Sequence, residues 1–235
     1  MSHDTRSAAI LAGGRATRFG GRDKSALLVD GRAILEHQIA ALAPLVGDLM
    51  LVGESCDVAQ GFPASARRED ARAGARLAEA PEARRRQLCD RNPDRAAPRC
   101  VADIVPGCGP LGGLHAALTA ARGDVLVLVA CDMPYVSTPF IAYLLSLSGE
   151  ADIVVPQSER GYHPLCAVYT RACLEPAAAR LADRRLIMRE LVDSMRTRVV
   201  PIDDIRRFGD PDRLLANVNT PADYAGLEAL QGHKP

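Results

Sequence analysis

The chain has very little lysine. Of its 29 basic residues, all but Lys24 and Lys234 are arginine. It also lacks an excess of either charge, because 29 acidic residues balance the basic ones. There is therefore no global basic field to attract nucleic acid or an anionic membrane, and neither is expected as a partner. Any bound anion must be held by local charge. No apolar run approaches membrane-spanning length, and the opening "MSHDTRSAAILAGG" has no long apolar segment with a cleavage site. The seven cysteines include no C-x-x-C pair, which argues against a zinc site or disulfide framework and for reduced thiols in a cytoplasm. The Walker A pattern is missing, since Gly21 is not followed by lysine, and so is the dinucleotide fingerprint G-x-G-x-x-G.

What is present reads as one domain over residues 1–235, with 48% hydrophobic and 25% charged residues. "SAAILAGG" predicts a buried strand running into a glycine turn, "AILEHQIAALAPL" (33–45) a helix, and "DLMLVG" (48–53) and "CVAD" (100–103) further strands. "GGLHAALTAA" (112–121) predicts a helix, "DVLVLVACD" (124–132) a buried strand, "STPFIAYLLSLS" (137–148) a helix and "DIVVP" (152–156) a strand. "PLCAVYT" (164–170) alternates more and reads as an antiparallel or edge strand, and "LLANVNTPADYAGLEAL" (214–230) as a strand leading into a helix capped by Thr220. The fold class is α/β: a three-layer α/β/α arrangement on a mainly parallel, Rossmann-like sheet that includes an antiparallel strand. Residues 56–100 break the rhythm. They hold ten arginines and eleven alanines but only one aromatic residue, Phe62, and one β-branched residue, Val58. They read as an inserted, solvated segment.

In a parallel sheet, ligands gather outside the carboxyl ends of the strands, and the loop after the first strand is a common phosphate site. That loop, "LAGGRATRFGGRDK" (11–24), is rich in glycine and cations. Gly13 and Gly14 let backbone N–H groups approach a phosphate, and Arg15, Arg18, Arg22 and Lys24 supply charge. Lysine in a chain built on arginine stands out, because an ammonium is a compact point charge and a guanidinium a planar fork. Asp132 should emerge at the carboxyl end of a central strand, and Asp103 ends the strand before "IVPGCGPLGG". A carboxylate so placed beside a phosphate loop suits Mg²⁺. His115 and His163 receive no role, since no Ser/His/Asp or Cys/His order argues for covalent catalysis.

"LAGGRATRFGGRDKSAL", "GPLGGLHAAL", "ACDMPYV" and "NVNTPADY" together resemble the molybdenum cofactor guanylyltransferases, within the nucleotide-diphospho-sugar-transferase-like nucleotidyltransferases. The motifs occur in the family's order and span nearly the whole chain outside 56–100. The resemblance implies GTP held through Leu11, Ala12, Gly13 and Lys24, a nucleotide contact at Asp103, and Mg²⁺ on Asp132. It implies transfer of GMP to the terminal phosphate of molybdopterin, with Arg18 and Lys24 on the triphosphate. Asn217 and Asn219 would lie at another strand's carboxyl end, near the pterin substrate, or else form the turn before Thr220. Cofactor-delivery or molybdoenzyme chaperone proteins are the partners it would bring. The chain departs from the family in having "VGESC" where an asparagine usually follows the second strand, and in the length of 56–100. Two other readings compete: a related enzyme using CTP or a sugar phosphate, and a GTP-binding regulatory module without turnover.

Overall fold

A computed structural model describes residues 6–12, 28–53, 98–218 and 223. Strand β1 is Arg6–Leu11, and a hairpin of β2 (Leu28–Val29) and β3 (Arg32–Ala33) leads into helix α1 (Ile34–Leu42). Then come β4 (Asp48–Val52), β5 (Arg99–Val101), α2 (Gly109–Ala120), β6 (Val125–Ala130) and α3 (Thr138–Ser146). β7 (Ile153–Ser158), β8 (Gly161–Tyr162) and β9 (Cys166–Thr170) follow. The last elements are α4 (Leu174–Ala182), α5 (Met188–Ser194), β10 (Thr197–Val200), α6 (Ile202–Arg206) and α7 (Pro211–Leu214). Among the described residues no helix is long and apolar enough to cross a membrane.

The main sheet runs β10-β7-β9-β6-β1-β4-β5, with β8 paired to β7. β1, β4, β5 and β6 are mutually parallel, and so are β7 and β10. β9 lies antiparallel between β6 and β7. Of the two options left by its alternation, β9 is the antiparallel one. It is interior, and Cys166 to Tyr169 are all buried.

The period of two explains why the central strands read as unbroken apolar runs. In β6, Val125, Val127 and Val129 enter one core, while Leu126 and Leu128 enter the other. β1 divides likewise, Ala8 and Ile10 against Ala9 and Leu11. The valine face is covered by α1, α3 and α6, through Leu42, Phe140, Leu144 and Ile205. The leucine face is covered by α2, α4 and α5, through Leu114, Leu181 and Leu191. A parallel sheet buried on both faces needs hydrophobic residues at successive positions, and the expected three layers are present.

Two expectations need correction. Residues 214–218 form no strand: Leu214 ends α7, and residues 216–218 lie outside every strand. Their apolar pattern is real, since Leu214, Leu215 and Val218 are buried, but they are buried as a cover over the end of β6. The segment read as 56–100 also ends sooner, because Arg99 and Cys100 belong to β5; the rest of that reading lies mostly outside the described residues.

Arg99 is not a solvated surface arginine. Its Nε donates to Asp48 Oδ1 at 2.7 Å and its Nη2 to Asp48 Oδ2 at 2.9 Å. Ser7 Oγ and the Arg122 backbone N–H donate to the same carboxylate, at 3.0 and 3.2 Å. Burial pushes the Asp48 carboxyl up, but these hydrogen bonds outweigh it and hold the group below the usual carboxylate range. The cluster clamps the amino ends of β1, β4 and β5, on the edge of the sheet opposite the strand ends where ligands gather.

Candidate active site

At the carboxyl edge the strand ends are tied to one another by backbone hydrogen bonds. The Ala12 N–H donates to Val52 O at 2.7 Å, the Gly53 N–H to Val101 O at 3.1 Å, and the Cys131 N–H to Leu11 O at 3.2 Å. Leu11 and Ala12, at the end of β1, therefore adjoin the turn that carries Asp132. Of the residues expected to form the site, Leu11, Ala12, Asp103, Asp132 and Asn217 are described. Gly13, Gly14, Arg18, Lys24 and Asn219 lie outside the described residues, as does the Thr220 cap.

Asp132 follows β6 by two residues, in a turn closed by the Met133 N–H on Ala130 O at 3.3 Å. The turn is held from four directions. Leu11 O accepts from Cys131, and Leu165 O accepts from the Ala130 N–H at 2.9 Å. The Val218 N–H donates to Asp132 O at 2.8 Å. From α1, Gln38 Nε2 donates to Ala130 O at 2.7 Å and to Met133 O at 2.9 Å. Gln38 was not foreseen, although a signal existed: a polar residue sits on the buried stripe of α1, with Ile34, Leu35, Ala41 and Leu42.

Asn217 is brought beside Asp132 by the Val218 hydrogen bond rather than by any strand, which corrects the expected route but keeps it at the site's margin. Arg213 stacks over the Tyr135 ring at 4.3 Å and pins the same cover. Asp103, two residues beyond β5, stands three strand positions from β6. At about 4.8 Å per strand that is roughly 14 Å, which separates the two aspartates along the carboxyl edge.

Helix α2 approaches the end of β1 closely. A Cβ on Gly113 would lie 2.8 Å from Leu11 Cδ2, so the last glycine of "GPLGG" leaves room for the Leu11 side chain where this helix packs against β1.

On the far side of β6, His163 Nε2 and Ser158 Oγ share a hydrogen bond of 2.8 Å at the end of β7. Burial, and then the Arg160 charge, lower the affinity of His163 for a proton. Unfolding restores that affinity, so the neutral imidazole contributes stability that is complete above the unfolded value of about 6.5 and is lost as pH falls through the folded one. His163→Gln should flatten the pH dependence of unfolding below about pH 6.5. Urea unfolding of both proteins across that range checks it, and parallel curves would remove His163 from the account.

Among the described residues no cluster of three or more His, Cys, Asp or Glu forms a metal cage. Asp132 offers hard carboxylate oxygens singly. That donor set suits Mg²⁺, which takes one or two carboxylates and completes its shell with water and phosphate oxygens.

The model of the MobA-like NTP transferase domain matches residues 8–199, which include Asp103, Asp132 and every strand of the main sheet except the first two residues of β1 and the last of β10. The chain belongs to this family. Among curated MobA-like relatives, a molybdenum cofactor guanylyltransferase of Vibrio cholerae is 29% identical over 225 residues, covering 94% of this chain and 90% of that one. The solved molybdopterin-guanine dinucleotide biosynthesis protein A of Archaeoglobus fulgidus matches the fold with a TM-score of 0.68 at 20% identity, covering 97% of this chain and all of that one. A Mycobacterium tuberculosis protein solved in complex with manganese matches with a TM-score of 0.56 at 19% identity, covering 95% and 97%. The family is one of nucleotidyltransferases, and the chain is an enzyme of that class.

Proposed function

We propose that the chain transfers GMP from GTP to the terminal phosphate of molybdopterin, giving the guanine dinucleotide cofactor and pyrophosphate. The observation that carries this reading is Asp132: a carboxylate at the end of the central strand, braced on four sides beside the end of β1. The relatives' names and the first-loop motif support guanine over cytosine. The whole chain, 1–235, is taken as one nucleotidyltransferase domain carrying an arginine- and alanine-rich insertion.

An oxygen of the pterin phosphate attacks the α-phosphorus of GTP, the bond from that phosphorus to the β-bridging oxygen breaks, and its electrons leave with pyrophosphate. Phosphoryl-type transfers ask the protein for alignment and charge neutralisation rather than covalent chemistry. Lys24 and Arg18 bind the triphosphate and stabilise the departing charge. Leu11, Ala12, Gly13 and Gly14 shape the backbone cradle, Asp103 contacts the nucleotide, and Asn217 and Asn219 border the pterin. Asp132 would hold Mg²⁺, whose chemistry there is to neutralise phosphate charge. Thiols such as Cys166 and Cys173, pushed up to about 12 by burial, stay protonated at neutral pH and take no part in the chemistry. A cytoplasmic setting belongs to the same proposal. Cofactor-delivery or chaperone proteins would receive the product.

The test is pyrophosphate release on supplying molybdopterin with GTP, CTP or ATP in Mg²⁺, alongside protection from thermal unfolding by each nucleotide. GTP alone should support release. Release with CTP, or tight GTP binding without release, would favour the competing readings. Lys24→Ala should lower turnover about tenfold or more, and Lys24→Arg should also be impaired, because a fork does not replace a compact charge. Wild-type turnover in both would remove the loop from the mechanism.

A further inference from the structure

Gln38 is fully buried in the helix that packs under the reactive edge, and its amide reaches across the fold to the turn bearing Asp132. Two carbonyl oxygens fix its orientation. Ala130 O and Met133 O both face the amide, so the nitrogen must point at them and the oxygen away. The two carbonyls are the first and last of the four-residue turn, and Asp132 lies between them. One amide thus closes the turn like a staple, from a different element of the fold.

The side chain is costly for a core. Among the described residues its buried Oε1 has no hydrogen-bond partner, and a buried acceptor left unmade destabilises the folded state. Leucine or methionine would fill similar space on the apolar stripe of α1 without stranding that oxygen. What those residues cannot do is donate twice to the turn. The amide is explained by the turn it holds, not by core packing.

We propose that Gln38 is a positioning residue for Asp132, fixing the turn so that the carboxylate meets a divalent cation and nucleotide without rearrangement. This rests on the reading of Asp132 as the metal-holding carboxylate. Outer partners that orient a metal ligand commonly change metal affinity by about 10- to 100-fold when removed. Gln38 differs in acting on the backbone to either side of the carboxylate, at Ala130 and Met133.

The test compares Gln38→Leu and Asp132→Asn with the wild type, using Mn²⁺ as probe. Its binding in the presence of GTP is followed by electron paramagnetic resonance, GTP binding is measured separately in chelator, and thermal unfolding is recorded. Gln38→Leu should weaken Mn²⁺ about tenfold, leave metal-free GTP binding within about twofold, and unfold cooperatively near the wild-type temperature. If it weakens Mn²⁺ and metal-free GTP equally, or titrates Mn²⁺ like the wild type, the positioning role is overturned while the Asp132 reading stands. If Asp132→Asn binds Mn²⁺ like the wild type, that reading fails and the inference with it. Should Gln38→Leu not fold, Gln38→Glu decides the matter. Its neutral carboxyl keeps the shape but donates once, so an intermediate loss of Mn²⁺ affinity supports the proposal and wild-type affinity overturns it.

Discussion

Asp132→Asn should fold normally and lose GMP transfer by about a hundredfold or more, with a raised Mg²⁺ requirement. The substitution keeps the size of the side chain and every backbone bond that seats the turn, including Val218 to Asp132 at 2.8 Å. What it removes is the negative charge proposed to hold the cation, and a metal ion's share of transition-state stabilisation is several kcal/mol. The measurement is pyrophosphate release against Mg²⁺ concentration, with thermal unfolding as the control for folding. A wild-type Mg²⁺ titration would move the metal away from Asp132 and make Asp103 the candidate.

Arg99→Ala should act on stability, at the opposite edge of the sheet. The Asp48 side chain is 4% exposed and Arg99 31%, so removing the guanidinium leaves a nearly buried carboxylate with only Ser7 and the Arg122 N–H. Breaking such a pair from one side costs about 3 kcal/mol, which for a chain of this size lowers the melting temperature by roughly 6–12 °C. The loss is largest at neutral pH. Asp48 titrates below its unfolded value in the native state, so its pairing stabilises fully above about pH 4 and fades as pH falls through the native pKa. The two proteins should therefore converge in acid. Specific activity of the folded variant at 25 °C should match the wild type, because none of these atoms approaches the carboxyl edge. A neutral-pH melting temperature within 2 °C of wild type, or a matching fall in specific activity, would show that the cluster has been misjudged.

The parts of the fold legible in the sequence were those where one physical signal dominated. β6 was legible because both its faces are covered and the run "VLVLVA" admits no polar position. Asp132 was legible for the same reason, since the strand fixes where the chain emerges. The stretch from 174 to 206 went unread, although it holds α4, α5, β10 and α6. In α4 the buried stripe is Ala177, Arg180 and Leu181. Arg180 reaches Glu190 Oε2 at 2.9 Å and also bonds Glu190 O, so a charge lies inward and the apolar period is broken. The β2–β3 hairpin carried a plain signal, Asp30-Gly31, both at positive φ, but its strands have two residues each and offer no alternation to read. Gln38 was hidden by distance, because its partners lie 92 and 95 residues away and only the folded chain reveals them.

Those separations also govern when the reactive turn can form. Residues 130–133 are stitched to Leu11, Gln38, Leu165 and Val218, so nearly the full span of the described fold must be assembled before the last stitch closes. Closing such long loops carries an entropic cost before any contact rewards it, and chains dominated by distant pairings fold slowly. Strands and helices can gather first, each on local cues, while the turn waits for the cover that ends at Val218. On refolding, catalytic competence should return after the bulk of the far-ultraviolet circular dichroism signal has recovered. The site is thus assembled late in time as well as from distant parts of the chain, and activity becomes a reporter of completed folding.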